Sequence, residues 1–259
     1  MVNDVYAKAD LSTSHKTTFS LAAIYRGIGV GVAINPAKWG GAYKDYEFNL
    51  NCYSSRLSLD LSYQRSESLT GDMLFDEVPK RLEQGDATMK VLNVAAYYTF
   101  NHRRFSFPAA FTQSYIQRRS AGSWLAGISY QGGSIKTTDD LLARSPNAPE
   151  TRIYVGHVGI GGGYGYNWVP GRNWLLHISA LPTFIVYSNT SLKVNDERIP
   201  LNYHFPEVII TARGAIVRQF GRVFVGTTLV YNFTSIGNPD KLAIYNSKWR
   251  ARLIVGYRL

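Results

Sequence analysis

Eight ionisable residues fall inside stretches that otherwise read as β-strands: Glu47, Asp60, His177, Glu207, Arg213, Lys248, Arg250 and Arg252. In an alternating stretch each takes the polar phase, sharing a face with Ser, Thr, Asn or Gly rather than with Leu or Val. Together they predict a charged network, positive on balance. Such a network either stiffens an interior by ion pairing or meets an anionic ligand. His177 and Ser179 raise a second chemistry, that of a lipid esterase or deacylase, which needs a serine, a base and an acid or amide in contact. Two residues apart on one strand, they are expected to point the same way without touching, and Glu207 is displaced from both. No catalytic residue is assigned, and the expectation is a protein that is not an enzyme.

Metal chemistry finds no support in the spacing either. The five histidines (His15, His102, His157, His177, His204) are scattered, and the single cysteine, Cys52, lies on the apolar face of a strand. "GIGGGYG" (159–165) sits within a strand with no helix after it, unlike a phosphate-binding loop. No metal or cofactor is expected.

The elements that carry these residues are short alternating runs. Strands are predicted at 17–25, 27–35, 44–54, 56–64, 89–100, 122–131, 152–168, 173–187, 206–220, 222–233 and 244–258. Short turns near 26, 54, 102, 170 and 221 alternate with long polar loops at 36–43, 65–88, 135–151, 188–203 and 234–243. Tight turns at one end and extended loops at the other are the plan of an outer-membrane barrel. The stretch 103–123 breaks the rhythm, because Pro108 in its middle would remove a ladder donor. Residues 104–120 are therefore predicted to fold into the lumen or lie beneath it, with Gln113, Tyr115, Gln117, Arg118 and Arg119 as a plug. Residues 2–11 are expected to supply the first strand. The prediction is an all-β fold, a closed antiparallel transmembrane β-barrel of about twelve strands, in one domain over 1–259.

Which face is wet decides between two architectures. In 56–64, Leu57, Leu59, Leu61 and Tyr63 oppose Ser58, Asp60, Ser62 and Gln64. A soluble lipocalin-like binder would turn the apolar row inward. Three features favour the reverse: aromatics at strand ends on the apolar face, a polar face poor in Lys and Glu, and the row Gly159, Gly161, Gly163, Gly165. Asp60, His177, Arg213 and Arg252 also lie roughly five to eight residues from a short turn or the C-terminus. At about 3.3 Å per residue that is near mid-membrane, where charge belongs inside. The net charge of +10 shows no basic helix or RNA-binding signature, so nucleic acid is not an expected partner. Outer-membrane lipids and an anionic small solute are. The turn arginines Arg26, Arg56, Arg103, Arg104, Arg172 and Arg222 suit lipid headgroups.

Several segments resemble domain-of-unknown-function family 4421, outer-membrane barrels of the Bacteroides group. They are "YRGIGVGVAINPAK" (25–38), "KDYEFNLNCYSSRLSLDLSYQ" (44–64), "FSFPAAFTQSYIQRRSAGSWLAGISYQ" (105–131) and "GIGGGYGYNW" (159–168). The resemblance implies an exported barrel in the bacterial outer membrane and implies no activity. The first ten residues, "MVNDVYAKAD", lack the basic and apolar regions of a signal peptide, so the expectation is a mature, truncated or re-started sequence. The expected role is passage or binding of an anionic solute or lipid through a cationic lumen. The alternative is a soluble periplasmic binder, and a lipid hydrolase ranks third.

Overall fold

The computed structural model describes residues 7–13, 19–25, 28–34, 45–75, 78–144, 150–194, 197–201, 207–238 and 242–257. In chain order the elements are β1 (Ala7–Thr13), β2 (Phe19–Tyr25), β3 (Ile28–Ile34), β4 (Tyr46–Tyr53), β5 (Leu57–Ser66), β6 (Leu69–Phe75), β7 (Val78–Leu82) and β8 (Ala87–Thr99). The short helix α1 (Phe107–Phe111) precedes β9 (Ala121–Thr137), and α2 (Asp139–Arg144) precedes β10 (Thr151–Gly171). Then follow β11 (Trp174–Ser188), β12 (Thr190–Val194), β13 (Glu197–Leu201), β14 (Val208–Phe220), β15 (Val223–Asn238) and β16 (Leu242–Tyr257). Among the described residues no helix is long and apolar enough to cross a membrane.

One antiparallel sheet dominates, in the order β16-β15-β14-β11-β10-β9-β8-β5-β4-β3-β2, with the β12–β13 hairpin attached to β10. Its strands coincide with the eleven alternating runs. The sheet is strongly curled, as its cross-strand contacts require. Arg213 on β14 reaches Asp60 on β5, although five ladder steps separate these strands. Laid flat, that is about 24 Å at roughly 4.8 Å per step, beyond any pair of side chains. Arg250 on β16 meets Glu47 on β4 across eight steps, about 38 Å if flat. The sheet therefore wraps so that its polar rows face one another across a shared interior.

Glycines permit the tightest part of the wrap. A Cβ on Gly161 or Gly163 of β10 would fall onto the Pro182 and Ala180 carbonyl oxygens of β11. At Gly165 it would lie 2.9 Å from the Phe105 ring. The glycine row thus admits the neighbouring backbone and one aromatic ring into space that side chains would occupy.

The predicted first strand takes a different partner. β1 pairs with β6, in register from Ala7 opposite Phe75 to Thr13 opposite Leu69, and β7 completes a separate three-stranded sheet. β1 also lies against β16. Among the described residues no ladder joins β2 to β16, so the large sheet is an open, curled one. Residues 2–6 of the predicted strand lie outside the described residues. Two of the predicted loops hold hairpins, β6–β7 within 65–88 and β12–β13 within 188–203. They are too short and polar to announce themselves by alternation.

The two faces are unlike. Outward stand Leu57, Trp124, Ile128, Ile160, Trp168, Ile178 (70% exposed), Ile216, Leu229, Trp249, Leu253 (77%) and Val255 (69%). Inward stand the buried Asn49, Ser58, Ser123, Asn167, His177, Ser179 and Thr228. These exposed apolar side chains lie on β5, β9, β10, β11, β14, β15 and β16.

Candidate functional site

Near the short-turn end the interior is filled by the chain between β8 and β9. Ser106 caps α1, accepting from the Ala109 N–H at 3.3 Å, and Pro108 takes an early helical position where its missing N–H costs nothing. Phe105, Phe107, Ala109 and Ala110 are buried. Phe105 and Phe107 join Tyr97, Leu125 and Leu181 in one apolar cluster, while Ala109 and Ala110 join Leu175, Ala215 and Val217 in another. The first cluster ties the segment to β8, β9 and β11, and the second ties the helix to β11 and β14.

A directed chain of hydrogen bonds anchors the segment. Asn167 on β10 lies directly opposite His177 on β11. Its side-chain amide donates to the Ser106 carbonyl (3.0 Å) and to Gln117 Oε1 (2.7 Å), leaving only Oδ1 to meet His177 Nδ1 at 2.6 Å. An amide oxygen accepts only, so His177 carries its proton on Nδ1. Nε2 is then the acceptor, and the Ser179 hydroxyl donates to it at 2.9 Å. Gln117 closes the chain by accepting from the Ser106 N–H (3.0 Å) and donating to the Arg119 carbonyl (2.8 Å).

The contact between His177 and Ser179 corrects the expectation that they do not touch. About 6.6 Å of strand separates the two residues. The imidazole ring spans that gap because Asn167 turns it along the strand. Serine, histidine and an amide are thus in line, yet all three are buried. The rings of Phe105, Phe107 and Phe111 surround the imidazole, with centroids at 5.9, 5.4 and 4.9 Å. Beside Ser179 a void of about 10 Å³, bounded by Tyr97, Phe107, Leu181 and Arg213, has room for one water and no substrate. In this arrangement the chain of bonds holds the inner segment in place.

A charged layer adjoins that segment. The Arg213 guanidinium, its side chain 9% exposed, donates to Asp60 Oδ2 at 2.6 Å and to the Tyr97 hydroxyl at 2.8 Å. It also stacks 4.6 Å from the Tyr97 ring centroid. The Tyr53 hydroxyl donates to the other Asp60 oxygen. Elsewhere on the inner wall Arg250 donates to Glu47 Oε1 (2.8 Å) and Asn49 Oδ1 (2.9 Å). Arg252, on the same inner row, makes no hydrogen bond or ion pair with any described residue. Lys248 stands on β16 opposite Asn232, and its side chain lies outside the described set.

The remaining candidates separate. Glu207 is buried just before β14, its carbonyl accepting from the Ile185 N–H at 2.9 Å. Gln113 is buried with a left-handed backbone (φ 57°), and its amide donates to the Ala110 carbonyl at 3.1 Å. Gln117 belongs to the anchoring chain, whereas Tyr115, Arg118 and Arg119 face outward and are exposed. Asn167, Tyr53 and Tyr97 were not among the sequence candidates. Asn167 continues the phase of the inward glycine row, and that position was the available signal. Among the described residues no cluster of His, Cys, Asp or Glu could hold a metal ion.

Fold and site together define an all-β protein with a curled antiparallel sheet, an apolar outer face and a polar, partly filled interior. The chain belongs to the family described as Domain of unknown function (DUF4421), whose model matches residues 2–259. No curated protein matches it.

Proposed function

We propose that this protein is an integral barrel of the bacterial outer membrane, its lumen plugged at the periplasmic end by residues 105–113 and lined further out by cations that bind an anionic solute. The exposed apolar belt carries this reading. A row of Leu, Ile, Val and Trp that encircles polar and charged residues suits a hydrocarbon solvent outside. Arg213 and Arg250 are each matched by a carboxylate, Asp60 and Glu47, which leaves Arg252, among the inner-row arginines of described side chain, as a cation for a ligand. The soluble-binder alternative needs the apolar row inside, and the outward exposure of that row weighs against it. An esterase role is disfavoured by the enclosure of Ser179.

Fractionation tests the membrane reading, since recovery of the full chain from the aqueous phase without detergent would sink it. Anion binding is tested by planar-bilayer recording with wild type and Arg252→Glu. A plugged, anion-binding lumen is expected to give no steady conductance in wild type. Deletion of 105–113 is expected to open an anion-selective current that Arg252→Glu reverses. A deleted barrel whose selectivity ignores residue 252 would contradict the anion role.

A further inference from the structure

Arg218 is out of keeping with the outward rows of β11, β14, β15 and β16. The outward rows of Trp174 to Val186, Val208 to Phe220, Val223 to Phe233 and Ser247 to Tyr257 contain no other charged residue. It stands two residues from the Phe220 end of β14, with Ile216 on one side and Phe220 on the other, and its ladder partners are Trp174 on β11 and Val225 on β15. Its guanidinium lies 5.0 Å from the Trp174 ring centroid and 4.7 Å from that of Phe220. The cation thus lies over two aromatic rings, which fix its position on the perimeter. Beside it runs a groove of about 290 Å³ lined by Trp174, Ile216, Phe220, Val225 and Thr227. Of these, Ile216 is 51% and Phe220 50% exposed.

We propose that this groove is a binding site for a phospholipid with an anionic headgroup, from the leaflet at the short-turn end of the barrel. The inference rests on the membrane reading above. A cation on a lipid-facing row is unfavourable in hydrocarbon and finds its place at headgroup depth, where a phosphodiester meets it. The guanidinium edge donates to the phosphate oxygens, and an acyl chain lies along Ile216 and Val225. The aromatic pair fixes the cation at one spot on the perimeter, so the lipid is held there rather than attracted diffusely. Charge complementarity sets the occupant: Arg218 is the one charged residue among the groove's largely apolar lining.

Native mass spectrometry of the detergent-purified full chain, titrated with phosphatidylglycerol and separately with phosphatidylcholine, tests the site. The expected result is one phosphatidylglycerol retained in preference to phosphatidylcholine. Arg218→Gln is expected to weaken that binding about tenfold, the loss of one charge-assisted contact at an exposed position. Arg222→Gln, which removes a cation from the adjacent turn, is expected to change it less than twofold. Equal retention of the two lipids, or equal losses from Arg218→Gln and Arg222→Gln, overturns the proposal. Flotation with phosphatidylcholine vesicles separates the two ideas. A chain that floats yet retains the two lipids equally in the mass spectra refutes the groove alone, and a chain that does not float refutes the membrane reading and the groove with it.

Discussion

Replacing Asp60 by Asn removes one charge and almost no volume, and its consequence is set by what surrounds Arg213. That guanidinium is 9% exposed on its side chain and donates to two oxygens, Asp60 at 2.6 Å and Tyr97 at 2.8 Å. Without the carboxylate, the cation keeps the Tyr97 hydroxyl, two ring faces and a neutral amide. Breaking a buried pair by removing one partner costs about 3–5 kcal/mol. The 21% exposure of Asp60 and the acceptor oxygen retained by Asn bring the expected loss to about 2–3 kcal/mol. Arg213→Met is expected to cost less, because Asp60 keeps the Tyr53 hydrogen bond and some solvent. With both charges gone, Asp60→Leu/Arg213→Met should recover to within about 1 kcal/mol of wild type, as buried pairs do when replaced by apolar residues of similar volume. The assay is urea unfolding in detergent micelles, followed by tryptophan fluorescence, with coupling read from the double-mutant cycle. A cost for Asp60→Asn within about 0.5 kcal/mol, together with no coupling, would refute both the contact and the wrap of the sheet inferred from it.

Asn167→Ala strands the His177 N–H and removes two bonds to the inner segment, so a loss of about 2 kcal/mol is expected. Limited proteolysis should then cut first within 105–119. Gly163→Ala places a methyl group against the Ala180 carbonyl and should cost about 3 kcal/mol or more, whereas Gly162→Ala, with its nearest atom at 3.8 Å, should unfold within about 0.5 kcal/mol of wild type. Leu253→Arg separates the solvents: in water a change at this 77%-exposed position should be near neutral, but in a bilayer it should cost about 2–4 kcal/mol. Folding into vesicles, measured by urea titration, reads the difference.

The strands and their faces were legible because alternation is a one-dimensional signal. Leu57, Ile178 and Leu253 could be assigned to one row and Ser58, His177 and Arg252 to the other without knowing which strands pair. The opening residues were misread for the opposite reason. A short strand such as β1 carries too few apolar positions to specify its partner, and β6 lay inside a stretch with loop composition. Partners across the interior are a three-dimensional property: nothing near Asp60 in sequence points to Arg213, 153 residues away. The His177–Ser179 contact was missed because strand spacing fixes where Cβ atoms lie but not how a ring turns. Asn167, on the neighbouring strand, decides that.

The central claim is that the outward row meets lipid, and a single spin label tests it most directly. Cys52 is the one cysteine, so Leu253→Cys in a Cys52→Ser background gives a unique site for a nitroxide. In protein reconstituted into phospholipid vesicles, its relaxation is compared with oxygen, which concentrates in hydrocarbon, and with a water-soluble nickel chelate. The expected result is strong relaxation by oxygen and little by nickel at position 253. Relaxation dominated by the nickel chelate would place Leu253 in water and contradict the claim.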